Sequence, residues 1–140
     1  MDGLGSNSGS NVDDFQTNVP INDRGTAQQV ADNLSFQHNW KNIEIFQIPG
    51  YNSNYPIYLC IGVPSEKLHP DDKTIEREIV LVTKLKGKFS ISLWTHVFDE
   101  LKKHLGLEEP PRRVTMAMVT DDSTIVYYFV NKGLIKPKKN

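Results

Sequence analysis

Apolar residues recur along this chain with two different periods, and each change of period marks a new element. Ala27, Val30, Ala31 and Leu34 fall at i, i+3, i+4 and i+7, which is one face of a helix. Thr26-Ala-Gln-Gln29 has the spacing of a capping box, so the helix is predicted to start at Thr26 and to stop before Trp40. Ile43-Glu-Ile-Phe-Gln-Ile48 is a β-type run closed by the turn signal Pro49-Gly50, and Asn52 to Asn54 is loop-like. Tyr55 to Val63 reads as a second strand, with Pro56 at its start, where a missing donor costs least. Pro64 to Asp72 is polar, and Pro70-Asp71-Asp72 favours a turn.

Ile79-Val-Leu-Val-Thr-Lys84 is a third strand. Ser92 is the expected cap of a second helix whose apolar positions are Leu93, Val97, Phe98, Leu101 and Leu105. Lys102, Lys103 and His104, then Gly106, then Pro110-Pro111, mark its end. Val114 to Thr120 and Thr124 to Val130 flank Asp121-Asp122-Ser123 and predict a hairpin. Asn131-Lys132-Gly133 is one more turn, and Leu134-Ile135 is long enough for a last short edge. Residues 1–25 are rich in Gly, Ser, Asn and Asp without any period, which predicts a disordered tail ahead of one domain over residues 26–140. The pattern predicts an α+β domain, a small and mostly antiparallel sheet packed with two helices.

One strand breaks the usual alternation. Ile125-Val-Tyr-Tyr-Phe-Val130 has no polar face, so both of its faces need cover, from the domain's own helices or from another chain.

Composition narrows the function classes. The chain has 140 residues, with 24% charged and 38% hydrophobic, as a single globular domain has. Its formal net charge of −1 means that the molecule is not a polycation and makes no strong electrostatic case for nucleic acid. The lone Cys60 lies in an apolar run and reads as a buried thiol in a reducing compartment, nuclear or cytosolic. No apolar stretch approaches the roughly 20 residues of a membrane span, and the acidic, polar start is not a secretory signal, so no membrane insertion is expected.

Chemistry is sparse. One Cys and four scattered His give no zinc spacing, and His96 and His104 stand eight apart on one helix, so no metal and no cofactor are expected. Gly87 lacks the companion glycines of a phosphate loop, and no nucleophile elbow surrounds Ser90 or Ser92. Metal-free RNA cleavage needs a base, an acid and a cation. Tyr58, His69 and the lysines at 84, 86 and 88 are the candidates for that alternative. Lys132, Lys136, Lys138 and Lys139, with Arg112 and Arg113, could meet phosphates in a small RNA-binding domain.

The hairpin is the most specific stretch. Met116-Ala-Met-Val-Thr-Asp-Asp-Ser-Thr-Ile-Val-Tyr-Tyr128, followed by Gly133 and Pro137, resembles the C-terminal end of the small structural subunits of the tRNA-splicing endonuclease. Weaker similarity runs back through the Ser92 helix to Thr26 and Trp40, so the resemblance covers roughly residues 26 to 140. It implies the fold of a tRNA-intron endonuclease C-terminal domain. It also implies a place in a complex of two catalytic and two structural chains that cuts precursor tRNA at both intron boundaries. Ile125, Tyr127 and Phe129 would then lie on a strand that continues the sheet into a partner, and Asp121 and Asp122 on an acidic loop that docks in another subunit's basic pocket. Catalytic members carry a Tyr and a His before the last helix and a Lys after it. No matching Tyr-His segment is found here, and Arg112 and Arg113 stand near the lysine position. The resemblance therefore implies a non-catalytic structural subunit in the nucleus, or at the cytosolic face of the mitochondrial outer membrane as in some fungi. An exposed apolar strand further predicts a homodimer when the chain is isolated.

Overall fold

A computed structural model describes residues 20–51, 53–84 and 89–132. Helix α1 spans Arg24–His38, and its buried residues are Thr26, Ala27, Val30, Ala31 and Leu34, the predicted face. Its cap is Asp23, not Thr26. The Asp23 carboxylate accepts from the Thr26 backbone N–H at 2.7 Å and from the Thr26 hydroxyl at 2.9 Å. A short side chain three residues ahead reaches an orphan donor of the first turn better than the expected box does. These bonds, the backbone one first, hold the Asp23 carboxyl below the usual carboxylate range.

Helix α2 spans Ile91–Leu105. Its cap is Ser90, whose hydroxyl accepts from Leu93 N–H at 3.0 Å, so the expected cap Ser92 lies inside the first turn. Gly106 ends the helix in the left-handed region at φ 66, where a side chain would be strained. Among the described residues no helix is long and apolar enough to cross a membrane.

Five strands form one sheet in chain order: β1 (Lys41–Ile48), β2 (Ile57–Val63), β3 (Glu78–Thr83), β4 (Arg113–Val119) and β5 (Ile125–Asn131). Every pair is antiparallel except β3–β4, which is parallel and joined through α2. A parallel step needs such a crossover, whereas the hairpin β4–β5 needs only a turn.

The sheet is covered on both faces. On one, Leu93, Val97, Phe98 and Leu101 of α2 pack on Ile57, Leu59, Ile79, Leu81 and Val114. On the other, Ala27, Val30, Ala31 and Leu34 of α1 pack on Cys60, Val80, Val82, Ala117 and Val119. Two covered faces explain why the central strands are nearly continuous apolar runs. Cys60 sits in the α1 layer, where burial pushes its thiol up to about 12. It is the inert core thiol its neighbours predicted.

The ordered chain begins before residue 26. Ile21 is part of the α2-side core, and Asn22 is buried. The Asn22 amide donates to the carbonyls of Tyr58 (2.8 Å) and Val82 (2.6 Å), and its oxygen accepts from Tyr58 N–H (2.9 Å). One side chain thus satisfies backbone groups of β2 and β3 just past Leu59↔Leu81, where the two strands cease to pair directly. A single Asn in an Asn-rich stretch carries no periodic signal, so its role was invisible in the pattern.

Candidate functional site

An open sheet has two edges, and these two differ in what they can accept. β1 carries Lys41 and Glu44, and its pairing register shifts between them, with Asn42 at φ 57. Charge and a bulge are the usual means of keeping an edge from pairing. β5 is regular over seven residues, has no charge, and pairs with β4 without a break from Arg113↔Asn131 to Val119↔Ile125. Among the described residues nothing pairs with its outer side, and it is the edge able to accept a strand.

The hairpin's hydrogen bonds fix which residues do so. Thr120 N–H donates to Thr124 O at 2.8 Å, and Lys132 N–H to Arg112 O at 2.9 Å. Both pairs are of the hydrogen-bonded type, which recurs at every second position of an antiparallel ladder. Residues 126, 128 and 130 therefore bond inward to β4. Ile125, Tyr127, Phe129 and Asn131 direct their N–H and C=O groups to the open edge. The first three are the strand residues singled out in the sequence.

Their side chains have different surroundings. Ile125 and Tyr127 pack in the α1 layer, and the Tyr127 hydroxyl donates to Asn33 Oδ1 at 2.7 Å. Burial pushes the Tyr127 phenol above its ordinary range. Phe129, on the same face, is 39% exposed. On the opposite face Val126 (37%) and Tyr128 (42%) extend past the cover of α2. The own helices thus cover one face in part and leave an apolar surface along the edge on both sides.

The turn before β5 is acidic. Asp122 shapes it: its carboxylate accepts from the Thr120 hydroxyl and, at 3.1 Å, from Thr124 N–H. These bonds hold the Asp122 carboxyl below the usual carboxylate range. Asp121 is exposed at the tip. Ser123 takes the left-handed conformation, φ 69, that closes the turn.

Near the other end of β5, Arg113 is buried and donates to both oxygens of Asp72, at 3.1 and 2.8 Å, and to both of Glu78, at 3.3 and 2.9 Å. Its guanidinium lies 4.7 Å from the centre of the Phe129 ring. Arg112, mostly exposed, reaches Asp72 at 3.4 Å. Arg113 is therefore occupied inside the fold, tying the segment after β2 to β4 and β5. This committed structural pairing went unseen because its carboxylates lie 41 and 35 residues away in sequence.

The candidates for RNA cleavage do not meet. Tyr58 is on β2, its backbone held by Asn22, whereas His69 lies beside Phe129 of β5, with ring centres 6.3 Å apart. Three strand spacings separate β2 from β5, roughly 15 Å. His69 Nδ1 accepts from Asp71 N–H at 3.1 Å, as a loop-shaping group does. Gly87, Lys86, Lys88, Leu134, Ile135, Lys136, Lys138 and Lys139 lie outside the described residues, as do residues 1–19 of the expected tail. The two histidines of α2 serve packing: His96 Nε2 lies 2.8 Å from Pro49 O, and His104 stacks on Phe46. Among the described residues no group of three His, Cys, Asp or Glu side chains could hold a metal ion.

Comparison with known proteins adds a family. The model of the Sen15 protein family matches residues 29–140. A Neurospora crassa protein, "Probable tRNA-splicing endonuclease subunit tsp-1", is 31% identical over 146 residues, covering 79% of this chain and 64% of its own length. "tRNA-splicing endonuclease subunit SEN15" of Eremothecium gossypii is 30% identical over 116 residues, covering 83% of this chain and 92% of its own. "Probable tRNA-splicing endonuclease subunit sen15" of Schizosaccharomyces pombe is 37% identical over 71 residues, 45% of this chain and 50% of that one. The span matched by the family model takes in α1 from residue 29 on, the whole of α2 and the whole β4–β5 hairpin.

Proposed function

Since the chain belongs to the Sen15 protein family, we propose that it is a subunit of the tRNA-splicing endonuclease with an architectural, non-catalytic part. In this reading it adds its β5 edge to the sheet of a catalytic subunit and so positions that subunit for cutting precursor tRNA. Two such pairs, joined through acidic turns, make a complex of four chains.

The observation that carries the reading is the asymmetry of the two sheet edges. β1 is bulged and charged, and β5 is regular and uncharged along seven residues and apolar along the first six. An edge of that kind, unpaired among the described residues, is a template for strand addition. The separation of Tyr58 from His69, and the engagement of Arg113 by Asp72 and Glu78, support the non-catalytic part.

The acidic turn gives a specific test. Asp121→Lys is expected to leave the monomer folded by circular dichroism. It is also expected to weaken assembly of the four-chain complex by about tenfold, an effect that shrinks as salt is raised. Asp122→Lys should in addition loosen the hairpin, because Asp122 bonds within the turn. Native mass spectrometry of the co-expressed subunits reads both. Full assembly by the Asp121→Lys chain would remove the docking role from this turn.

A further inference from the structure

Among the described residues β5 has a neighbour on one side, β4. The ladder to β4 fixes the spacing of the two strands, but a strand paired on one side twists about its ladder more freely than one paired on both. The tilt of β5 is therefore set by the side chains beneath it. On the α2 side Val126 and Tyr128 are exposed and hold little. On the α1 side Ile125 and Tyr127 lie in the helix layer, and Phe129 beyond them is again exposed.

Tyr127 reaches furthest into that layer. Its hydroxyl donates to Asn33 Oδ1 at 2.7 Å, across 94 residues of sequence. The His38 ring, further along α1, stands edge-on to the Tyr127 ring, with centres 5.6 Å apart and planes at 88°. A tyrosine ring turns about two torsions, so a bond at its tip and a ring against its side leave it little freedom. The ring is thus a strut between helix and strand. Tyr127 is also one of the residues whose N–H and C=O point to the open edge, between Ile125 and Phe129. The strut therefore ends within the row of groups that a partner strand would pair with. Phe129 has a separate holder, the Arg113 guanidinium of the neighbouring strand. Asn33 sits on α1, half-buried, and is not in that row.

We propose that Asn33 is a positioning residue for assembly: through the Tyr127 hydroxyl it sets the tilt of β5 and so aligns the outward N–H and C=O groups for a partner strand. The proposal rests on the strand-addition reading above and extends it to a residue that does not itself touch the partner. Affinity then scales with the fraction of chains whose edge is already aligned, and loss of the bond lowers that fraction.

The test uses the full chain and the catalytic subunit recovered with it from its own cells. Tyr127→Phe removes the donor and keeps the ring, Asn33→Leu removes the acceptor, and Asn33→Asp keeps it. Tyr127→Phe and Asn33→Leu should each bind about fivefold more weakly, the factor one net hydrogen bond is worth when all of it goes into placing the strand. Asn33→Asp should bind within about twofold of the natural chain. The chain carrying both Tyr127→Phe and Asn33→Leu should also lose about fivefold, because the two changes remove one bond. A loss of about 25-fold would mean that Asn33 acts on the partner directly and would overturn the proposal. Ile57→Val, a core truncation on β2, controls for stability: it should lower the melting temperature by a similar few degrees and leave binding unchanged. Equal weakening by Ile57→Val and Tyr127→Phe would reduce the bond to a general contribution to stability and overturn the proposal as well. In the free chain, the amides of Val126, Tyr128 and Val130 should lose about fivefold protection from hydrogen exchange in Tyr127→Phe, while those of β2 and β3 keep theirs. Exchange in the natural complex separates this from failure of the underlying reading. If the amides of Ile125, Tyr127, Phe129 and Asn131 stay fast in the complex, strand addition is wrong, and the positioning role falls with it. If they are protected while Asn33→Leu binds normally, the positioning role alone fails.

Discussion

Phe129→Pro is expected to cut the affinity for the catalytic subunit by at least about a hundredfold while leaving the β4–β5 hairpin in place. Phe129 is opposite Thr115, and its N–H points to the open edge, so proline removes no bond to β4. It does remove a donor that a partner strand would use, and the ring fills the space that strand would occupy. Each lost ladder bond is worth about 1 kcal/mol net, and the steric block adds to it by displacing neighbouring pairs. Phe129→Ala is the control. It loses the same side-chain contact with the Arg113 guanidinium but keeps the N–H. It should weaken binding by only about tenfold, a loss of the size expected for one side-chain contact at an interface. Sedimentation equilibrium of each variant with the catalytic subunit, alongside thermal melts of each chain alone, separates the two effects. Equal affinities for the proline and alanine chains would mean that β5 contributes side chains but no backbone ladder.

Arg113→Met should be the most destabilising single change near the site, by about 3 kcal/mol, with a melting temperature lowered by roughly 10 °C. Methionine keeps most of the volume and the stem. It leaves the Asp72 and Glu78 carboxylates facing each other without the guanidinium that now bonds both. Arg113→Lys keeps the charge but cannot bind two carboxylates in parallel, so it should recover about half of the loss at best. The same cluster predicts an acid dependence. The hydrogen bonds from Arg113 hold the Asp72 carboxyl below the usual range. A carboxylate with a depressed value in the fold stabilises above its unfolded value, and that stabilisation is lost as pH falls through the folded one. The natural chain should therefore lose stability below about pH 4, and Arg113→Met should lose less over the same interval. Urea midpoints at neutral and acid pH measure both. Nearly equal neutral midpoints for the natural and Met chains would show that solvent screens the cluster. Because the cluster ties the segment after β2 to β5, its loss should also weaken assembly, through a looser edge rather than through a lost contact.

Both helices are legible from the period of their apolar residues and the five strands from β-type runs between turn signals; the apolar face predicted for α1 is the one buried, and that of α2 is too, with Trp94 added and Leu105 only partly covered. The cap positions differed for a local reason. Asp23 and Ser90 each reach a donor three residues on, while Thr26 and Ser92 already belong to the first turn. Continuous apolar runs at β2 and β3 reflect a helix on each face, which pattern alone could not distinguish from a chain–chain contact. For β5 the cover by its own helices is partial: Tyr127 lies in the α1 layer, and Tyr128 is exposed. What the pattern could not show is anything that depends on two distant residues. Asn22 joining β2 to β3, Arg113 joining Asp72 to Glu78, and the buried Thr115 hydroxyl lacking a hydrogen-bond partner among the described residues are all of this kind. Polar residues at such positions follow no period, so their roles appear only when the chain is folded.

As an architectural subunit working through its β5 edge, which is the role proposed above, the chain would be recovered only together with its partners. Affinity purification of the tagged chain from its own cells, with the recovered chains identified and counted by mass spectrometry, tests it most directly. The account predicts three further endonuclease subunits in equal amounts, with cleavage of precursor tRNA that survives Tyr58→Phe and His69→Ala in this chain. Recovery of the chain alone, or of an active complex that loses cleavage with either substitution, would contradict it.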